Sequence, residues 1–157
     1  MIFLYSYHHG NTRKIANAIA PIINAEIIEV DKMDTGGFDF SSLKQCPLIG
    51  FGAGIDSGKH YKQILYFAEK LPNLKNQKAF IFSTSAIYNK KKMHKDHKAL
   101  RDLLQNKGLE IRGEFSCPGF NTNSFLKYFG GMNKGRPNAE DLKRAVLFAE
   151  ELAGAVR

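Results

Sequence analysis

At 157 residues, with 43% hydrophobic and 24% charged content, the chain has the makeup of one soluble globular domain spanning 1–157. Such a chain buries roughly two-thirds of its unfolded surface without staples. Cys46 and Cys117 form no spacing motif, which excludes a disulfide framework and points to a reducing, cytoplasmic setting, while the net charge of +8 permits any anionic partner without choosing one.

The chain begins with a short apolar run, Ile2-Phe3-Leu4-Tyr5, which reads as a buried strand of the parallel kind. It lacks the basic region of a leader, and no apolar run approaches the length of a membrane span, so no membrane partner is expected. Ser6-Tyr7-His8-His9-Gly10-Asn11-Thr12 follows, and then Ile15, Ile19, Ile22 and Ile23 recur at helical spacing. Asn11 or Thr12 is expected to cap that helix, and Pro21 to end or kink it near Ala20. A strand that feeds a helix through such a turn aims backbone N–H groups and the positive end of the helix dipole at one spot. An anion, most often a phosphate, is its natural occupant.

Residues 26–30 read as a second strand, and 31–45 hold at most a short element around the turn Thr35-Gly36-Gly37. Residues 47–52 give a third strand that ends in a glycine-rich turn, Ala53-Gly54-Ile55-Asp56-Ser57-Gly58. The next helix carries Tyr61, Ile64, Leu65, Ala68 and Leu71 on one face and stops at Pro72. A fourth strand over 78–82 leads into the turn Ser83-Thr84-Ser85-Ala86-Ile87-Tyr88-Asn89. Met93, Leu100, Leu103 and Leu104 then line one helix, which Gly108 terminates. Residues 109–115 alternate cleanly, as suits a strand at a sheet edge. A long connection over 116–137, with a helical turn near 125–129, is expected to be functional. Asn138 caps a last helix whose Leu142, Ala145, Val146, Ala149, Leu152 and Ala153 face the core.

Five alternations of strand and helix specify an α/β fold, an open parallel sheet with helices on both faces and right-handed crossovers. Ligands of such sheets bind outside the carboxyl ends of the strands, where strand order reverses. The turns after strands one, three and four share that edge, so one pocket is expected there.

Three stretches in register carry a resemblance. YSYHHGNTRKIA resembles the phosphate loop of the flavodoxin family, FGAGIDSGKHYKQIL its first flavin-ring loop, and FSTSAIYN the second. SCPGF and GGMNKGRPNAEDLKRA resemble the C-terminal section of small flavodoxin-like proteins, so the likeness covers nearly the whole chain. It implies a doubly wound five-stranded parallel sheet of order 2-1-3-4-5 and FMN as cofactor. By position, Ser6, His8, His9, Gly10, Asn11 and Thr12 would hold the phosphate. Ala53, Gly54, Ile55, Asp56, Ser57 and Gly58 would line one side of the ring, and Ser83, Thr84, Ser85 and Tyr88 the other. Three features depart from the family pattern. The phosphate turn has one extra residue, with histidines in place of a hydroxyl. The first ring loop has no stacking aromatic, which leaves Tyr88 as the main candidate. The chain is basic, whereas flavodoxins that carry electrons are usually acidic.

Gly54 to His60 evokes a triphosphate-binding loop, but Ala53 stands where its first glycine belongs and His60 where its Mg²⁺-binding hydroxyl belongs. No acidic cluster ends the first strand, which removes a phosphoacceptor domain. His94 and His97 lie three apart with Asp96 between them, a pattern that is more often solvated than metal-bound, so no metal is expected. All five histidines fall in or just after loops at the carboxyl edge, and Cys117 reads as a small buried hydrophobe.

Lys90, Lys91, Lys92 and Lys95 crowd the start of one helix, against its dipole. Arg13, Lys14, Lys59, Lys62, Lys127, Lys134 and Arg136 share that end of the molecule by topology. This basic rim suits an acidic redox partner or the phosphates of NADPH, and no nucleic-acid module accompanies it. The resemblance thus implies an FMN-binding electron-transfer protein, with no acid–base catalytic residue, acting as a monomer or weak homodimer. An NAD(P)H-dependent FMN or quinone oxidoreductase is the alternative, and a flavin-binding module without turnover a third.

Overall fold

The computed structural model describes residues 1–7, 9–33, 37–122, 128 and 130–156. Strands β1 (Ile2–Tyr5), β2 (Ile27–Glu29), β3 (Ile49–Asp56), β5 (Lys78–Ser85) and β6 (Glu110–Pro118) pair in parallel, in the order β2-β1-β3-β5-β6. A sixth strand of two residues, β4 (Lys59–His60), runs antiparallel against the end of β3. Leaving it aside, the order is the expected 2-1-3-4-5. The strand sequence reverses between β1 and β3, so the switch point lies there.

Helices α1 (Asn11–Ile19) and α5 (Ala139–Val156) cover one face of the sheet, and α2 (Lys62–Lys70) and α4 (Lys98–Asn106) the other. Strict alternation along the strands builds both cores at once. Phe3, Phe51 and Ile81 pack toward Ile64, Phe67, Leu100 and Leu104. Ile2, Leu4, Phe80 and Phe82 pack toward Ile15, Ile19, Ala145 and Ala149. Continuous apolar runs in β1, β3 and β5 follow, because both faces of those strands are covered. Phe148 of α5, absent from the predicted face, stacks on Phe115 with ring centroids 5.5 Å apart.

Strands β3 and β5 run further than the sequence reading placed them. Residues 53–56 continue β3 instead of turning, and Ser83, Thr84 and Ser85 continue β5. Polar residues stay in a buried strand here because each hydroxyl has a partner. Ser83 Oγ meets His97 and Ser116, Thr84 Oγ1 meets Thr12 Oγ1 at 3.0 Å, and Ser85 Oγ donates to the Ile87 carbonyl. The glycine-rich turn shrinks to Ser57-Gly58, whose φ values of 51° and 80° are those a tight type I′ hairpin demands. The helix expected over Met93 to Leu104 breaks at His97 into α3 (Lys90–Asp96) and α4. Asn89 caps α3, accepting from Lys92 N at 2.8 Å. Phe40–Gln45 forms a short 3₁₀ helix, Thr35 and Gly36 of the expected turn lie outside the described residues, and α1 ends before Pro21 as expected.

Asn138 caps α5 as expected: its Oδ1 accepts from Asp141 N, and Asp141 Oδ2 accepts in return from Asn138 N. The helical turn expected near 125–129 falls mostly on 125–127 and 129, outside the described residues. Among those described, no helix is long and apolar enough to cross a membrane.

Two glycines fix how closely β3 and β5 side chains pack. A Cβ on Gly52 would stand 2.1 Å from the Phe82 ring, and one on Gly50 would stand 2.3 Å from Phe80. Gly52→Ala should therefore destabilise the fold by about 1–3 kcal/mol through overpacking. A lowered urea midpoint with unchanged m-value is the expected result, and an unchanged midpoint would mean that Phe82 moves aside freely.

Candidate functional site

A narrow cleft opens at the switch point, between the turn after β1, the ends of β3 and β5, and residues 119–121. Of the sequence-predicted residues, it brings together His9, Asn11, Thr12, Gly54, Ile55, Thr84 and Ser85. The α1 end of this cleft is where the sequence places the anion. Gly10, at φ 64°, is the residue that precedes the helix and has no side chain to cap it. Neither Asn11 nor Thr12 serves as the expected cap, because both side chains reach across the cleft. Asn11 Nδ2 donates to the Phe120 carbonyl at 2.7 Å, and Thr12 bonds Thr84. Ser6 Oγ is the closest substitute, accepting a long bond from Arg13 N at 3.4 Å. First-turn N–H groups of α1 are thereby left for a ligand.

His9 meets the connection after β6. Its ring packs on Phe120, with centroids 4.5 Å apart, and its Nε2 lies 2.9 Å from Thr122 Oγ1. His8 lies outside the described residues. The connection after β6 is thus the wall that sequence reasoning did not resolve to residues. Gly119 N donates to Ser85 O, Asn121 and Met132 pair in an antiparallel bridge, and Asn133 Nδ2 donates to Ala86 O at 2.7 Å. Those bonds hold Gly119 and Phe120 against the cleft. A Cβ on Gly119 would come within 2.9 Å of Asn11 Nδ2 and 3.0 Å of Thr84 Cβ, so the backbone approaches closely only because the residue is glycine.

The predicted ring-side residues divide. Asp56, Ser57 and Gly58 form the hairpin tip, Ala53 is buried beneath the sheet, and Ser83 turns to the opposite face. Tyr88 stands by α5, where Arg144 lies 5.4 Å over its ring and donates to its hydroxyl at 3.3 Å. The hairpin supplies another aromatic instead. By reversing the chain at Ser57-Gly58 it returns Tyr61 beside Gly54, and Tyr61 lies 5.7 Å from Tyr7. Tyr7 and Tyr61 make the aromatic wall of the cleft. The signal for this was present in the Ser-Gly pair between two short runs.

The basic rim is thinner than expected. Arg13 pairs with Glu29, Arg136 Nη2 donates to buried Asp141 at 2.6 Å, and Lys92 pairs with Asp96 at 2.5 Å. Lys127 lies outside the described residues. Lys59, Lys90, Lys91, Lys95 and Lys134 are exposed and keep the rim positive. Cys117 is buried, and desolvation pushes its thiol up to about 12, which makes it unreactive as expected. Among the described residues, no group of three His, Cys, Asp or Glu side chains is placed to hold a metal.

The model of the Flavodoxin domain matches residues 2–122, most of the chain and all three loops. The chain belongs to the flavodoxin family. An uncharacterized protein of Methanocaldococcus jannaschii is 45% identical over 152 residues, covering 97% of this chain and 96% of its own. Among solved structures, a flavodoxin from the domain Archaea superposes with a TM-score of 0.68 at 14% identity, over 99% of this chain and 95% of that one. A WrbA-like flavodoxin from Agrobacterium tumefaciens gives a TM-score of 0.65 at 20% identity, over 99% and 96%. At those identities the superpositions speak for the fold alone.

Features of this flavodoxin-family cleft fit a phosphate-bearing ligand with a flat ring. Asn11 Oδ1 is buried without a hydrogen-bond partner among the described residues, an acceptor awaiting a donor. Gly54 lets Tyr61, and Gly119 lets Asn11 and Thr84, close tightly on the cleft, and the α1 amides suit an anion. The enclosed volume, however, is about 50 Å³. Whole-cofactor pockets run to roughly 300–1,000 Å³, so such a ligand must extend through the mouth or move 119–122 off His9.

Asn11→Ala removes the bond that ties Phe120 to α1. The expected result is about 1 kcal/mol lost from the ligand-free protein, with faster amide exchange confined to 119–122. Unaltered exchange there would mean that the connection is held by Asn133 and the bridge alone.

Proposed function

We propose that this chain binds FMN in the cleft and carries electrons between redox partner proteins. The observation that carries the reading is the convergence, at one switch point of a flavodoxin-family sheet, of an uncapped helix start, two close-approach glycines and an aromatic wall. The phosphate would lie against the α1 amides with Ser6 and Thr12 nearby. Gly54, Ile55, Tyr61 and Gly119 would border the ring, and Thr84 and Ser85 the strand ends below it. When bound, FMN supplies the redox chemistry; the chain's own groups orient it, exclude water from one side and tune its charge through backbone dipoles. No side chain in the cleft is assigned a proton-transfer role.

Tyr7 and Ile87 are 45% and 58% exposed on the loops after β1 and β5, and Lys90 and Lys91, which follow Ile87, are exposed as well. Apolar side chains within a basic margin suit an acidic redox partner, met by electrostatic steering. The same lysines favour a second reading, in which the phosphates of NADPH dock there and the chain is an NAD(P)H-dependent FMN or quinone oxidoreductase. Rapid consumption of NADPH by the FMN-loaded protein would select that second reading, and none would select the carrier.

Titrating the ligand-free protein with FMN, followed by flavin fluorescence, tests the shared premise. Saturable one-to-one quenching is expected, with riboflavin, which lacks the phosphate, bound on the order of 10–100-fold more weakly. No quenching, or equal affinity for the two, would overturn the assignment. For the rim, Lys90→Glu with Lys91→Glu should slow association with an acidic partner, and added salt should slow the parent protein likewise. Rates indifferent to both would remove the rim from the account.

A further inference from the structure

On the sheet face opposite α1, a polar network lies buried under the hairpin that walls the cleft. His97, fully buried at the break between α3 and α4, sits at its centre. His97 Nδ1 donates to Glu114 Oε2 at 2.9 Å, and Arg101 grips both oxygens of the same carboxylate at 2.6 and 2.9 Å. On its other side, His97 Nε2 lies 2.8 Å from Ser83 Oγ, which in turn donates to Ser116 Oγ at 2.9 Å. Both ring nitrogens of His97 are thus engaged, one by a carboxylate and one by a hydroxyl. Held between Glu114 and Ser83, the ring is fixed in place.

His60 of β4 packs against it, with ring centroids 4.8 Å apart. It is 1% exposed, and neither of its ring nitrogens has a hydrogen-bond partner among the described residues. Such a ring gains from burial only while it is neutral. It is also the hinge-side residue of the cleft wall, since it pairs with Ile55 of β3 and is followed by Tyr61.

We propose that the His60–His97 stack is an acid-sensitive latch on the β3–β4 hairpin. Proton uptake by His60 expels its ring from its buried place beside His97 and releases the hairpin, and with it the Ile55–Tyr61 wall of the cleft.

The side chains around His60 are already committed to other partners. Glu114, from β6, already spends both oxygens on Arg101 and His97. Asp96, from α3, is buried and taken by Lys92, and it faces the turn at Gly58. Arg101 Nη2, from α4, also donates to the His94 carbonyl, and Ser83 of β5 is bonded on both sides. Lys59, on the hairpin itself, is a further cation. Burial first and His97 second hold the His60 imidazole well below the usual histidine range, and Arg101 adds to them. The Phe82 backbone and Glu114 pull the other way and are outweighed. The sign follows: an expelled His60 has an ordinary affinity for protons and the latched one a depressed affinity. Latching is therefore complete above the ordinary value, about pH 6.5, and weakens as pH falls below it, by up to about tenfold per unit. Glu114 does not share this window, because its carboxyl, hydrogen-bonded by His97 and Arg101 against the cost of burial, is held at about 2.

The test is amide exchange of residues 56–61 in ligand-free protein, corrected for intrinsic rates, between about pH 7.5 and about pH 5.5. Protection should fall as His60, followed by NMR, takes up its proton, and should stay constant in His60→Phe and His60→Leu. Protection that does not change in the parent protein, or that falls equally in variants that fold, overturns the proposal. So does a His60 ring that titrates while the hairpin stays protected, a readout that needs no variant. FMN affinity measured over the same range should weaken in parallel, an arm that rests on the proposed function. A latch that opens in a protein with no FMN affinity at any pH would reject that function and leave the latch standing.

Discussion

The register between β3 and β5 is the constraint on which the rest of this molecule depends. It pairs Gly50 with Phe80 and Gly52 with Phe82, where each phenyl ring occupies the space a Cβ would take. A slip of one residue would drive those rings into side chains and turn every following residue to the other face. Thr84 would leave Thr12 and the cleft, and Ser83 would leave His97 and Ser116. The cleft and the buried polar network are thus both set by the packing of two rings on two glycines.

Cleft and network lie back to back. On one side, the start of α1, Gly54 and the 119–122 segment converge on the cleft. On the other, His97 gathers Ser83, Ser116, Glu114 and, through Glu114, Arg101. The hairpin at Ser57-Gly58 connects them, because Ile55 and Tyr61 border the cleft while His60 reaches into the network. An edge strand with inward-facing charge is a common guard against pairing with another chain. Here Glu114 fills that place on β6 and also binds a buried imidazole ring, so one residue meets both demands.

Most of the fold was legible in the sequence, because the apolar runs of β1, β3 and β5 and the helical periods state which faces are covered. The family was legible from three loops in register. What could not be read was the exact end of each strand. Ser83 and Thr84 look like a loop until Thr12, His97 and Ser116 are seen to satisfy them, and those partners lie 14 to 72 positions away. Tyr88 looked like a ring-stacking residue because Arg144, which occupies it, is 56 positions distant. Tyr61 and the 119–121 wall were hidden for the same reason, since a tight hairpin and a bridge between Asn121 and Met132 bring them to the cleft. His60 and His97 resembled loop histidines because a single sequence does not display burial.

The central claim is that one cleft at the β1/β3 switch point receives the flavin phosphate at α1. Backbone amide shifts recorded while FMN is added to the ligand-free protein test it most directly. The account predicts that Asn11, Thr12, Gly54, Thr84, Gly119 and Phe120 move together and saturate together, while the distant Asn17 and Asn24 stay fixed. Saturable shifts elsewhere with that set unmoved, or no shifts at all, would contradict it.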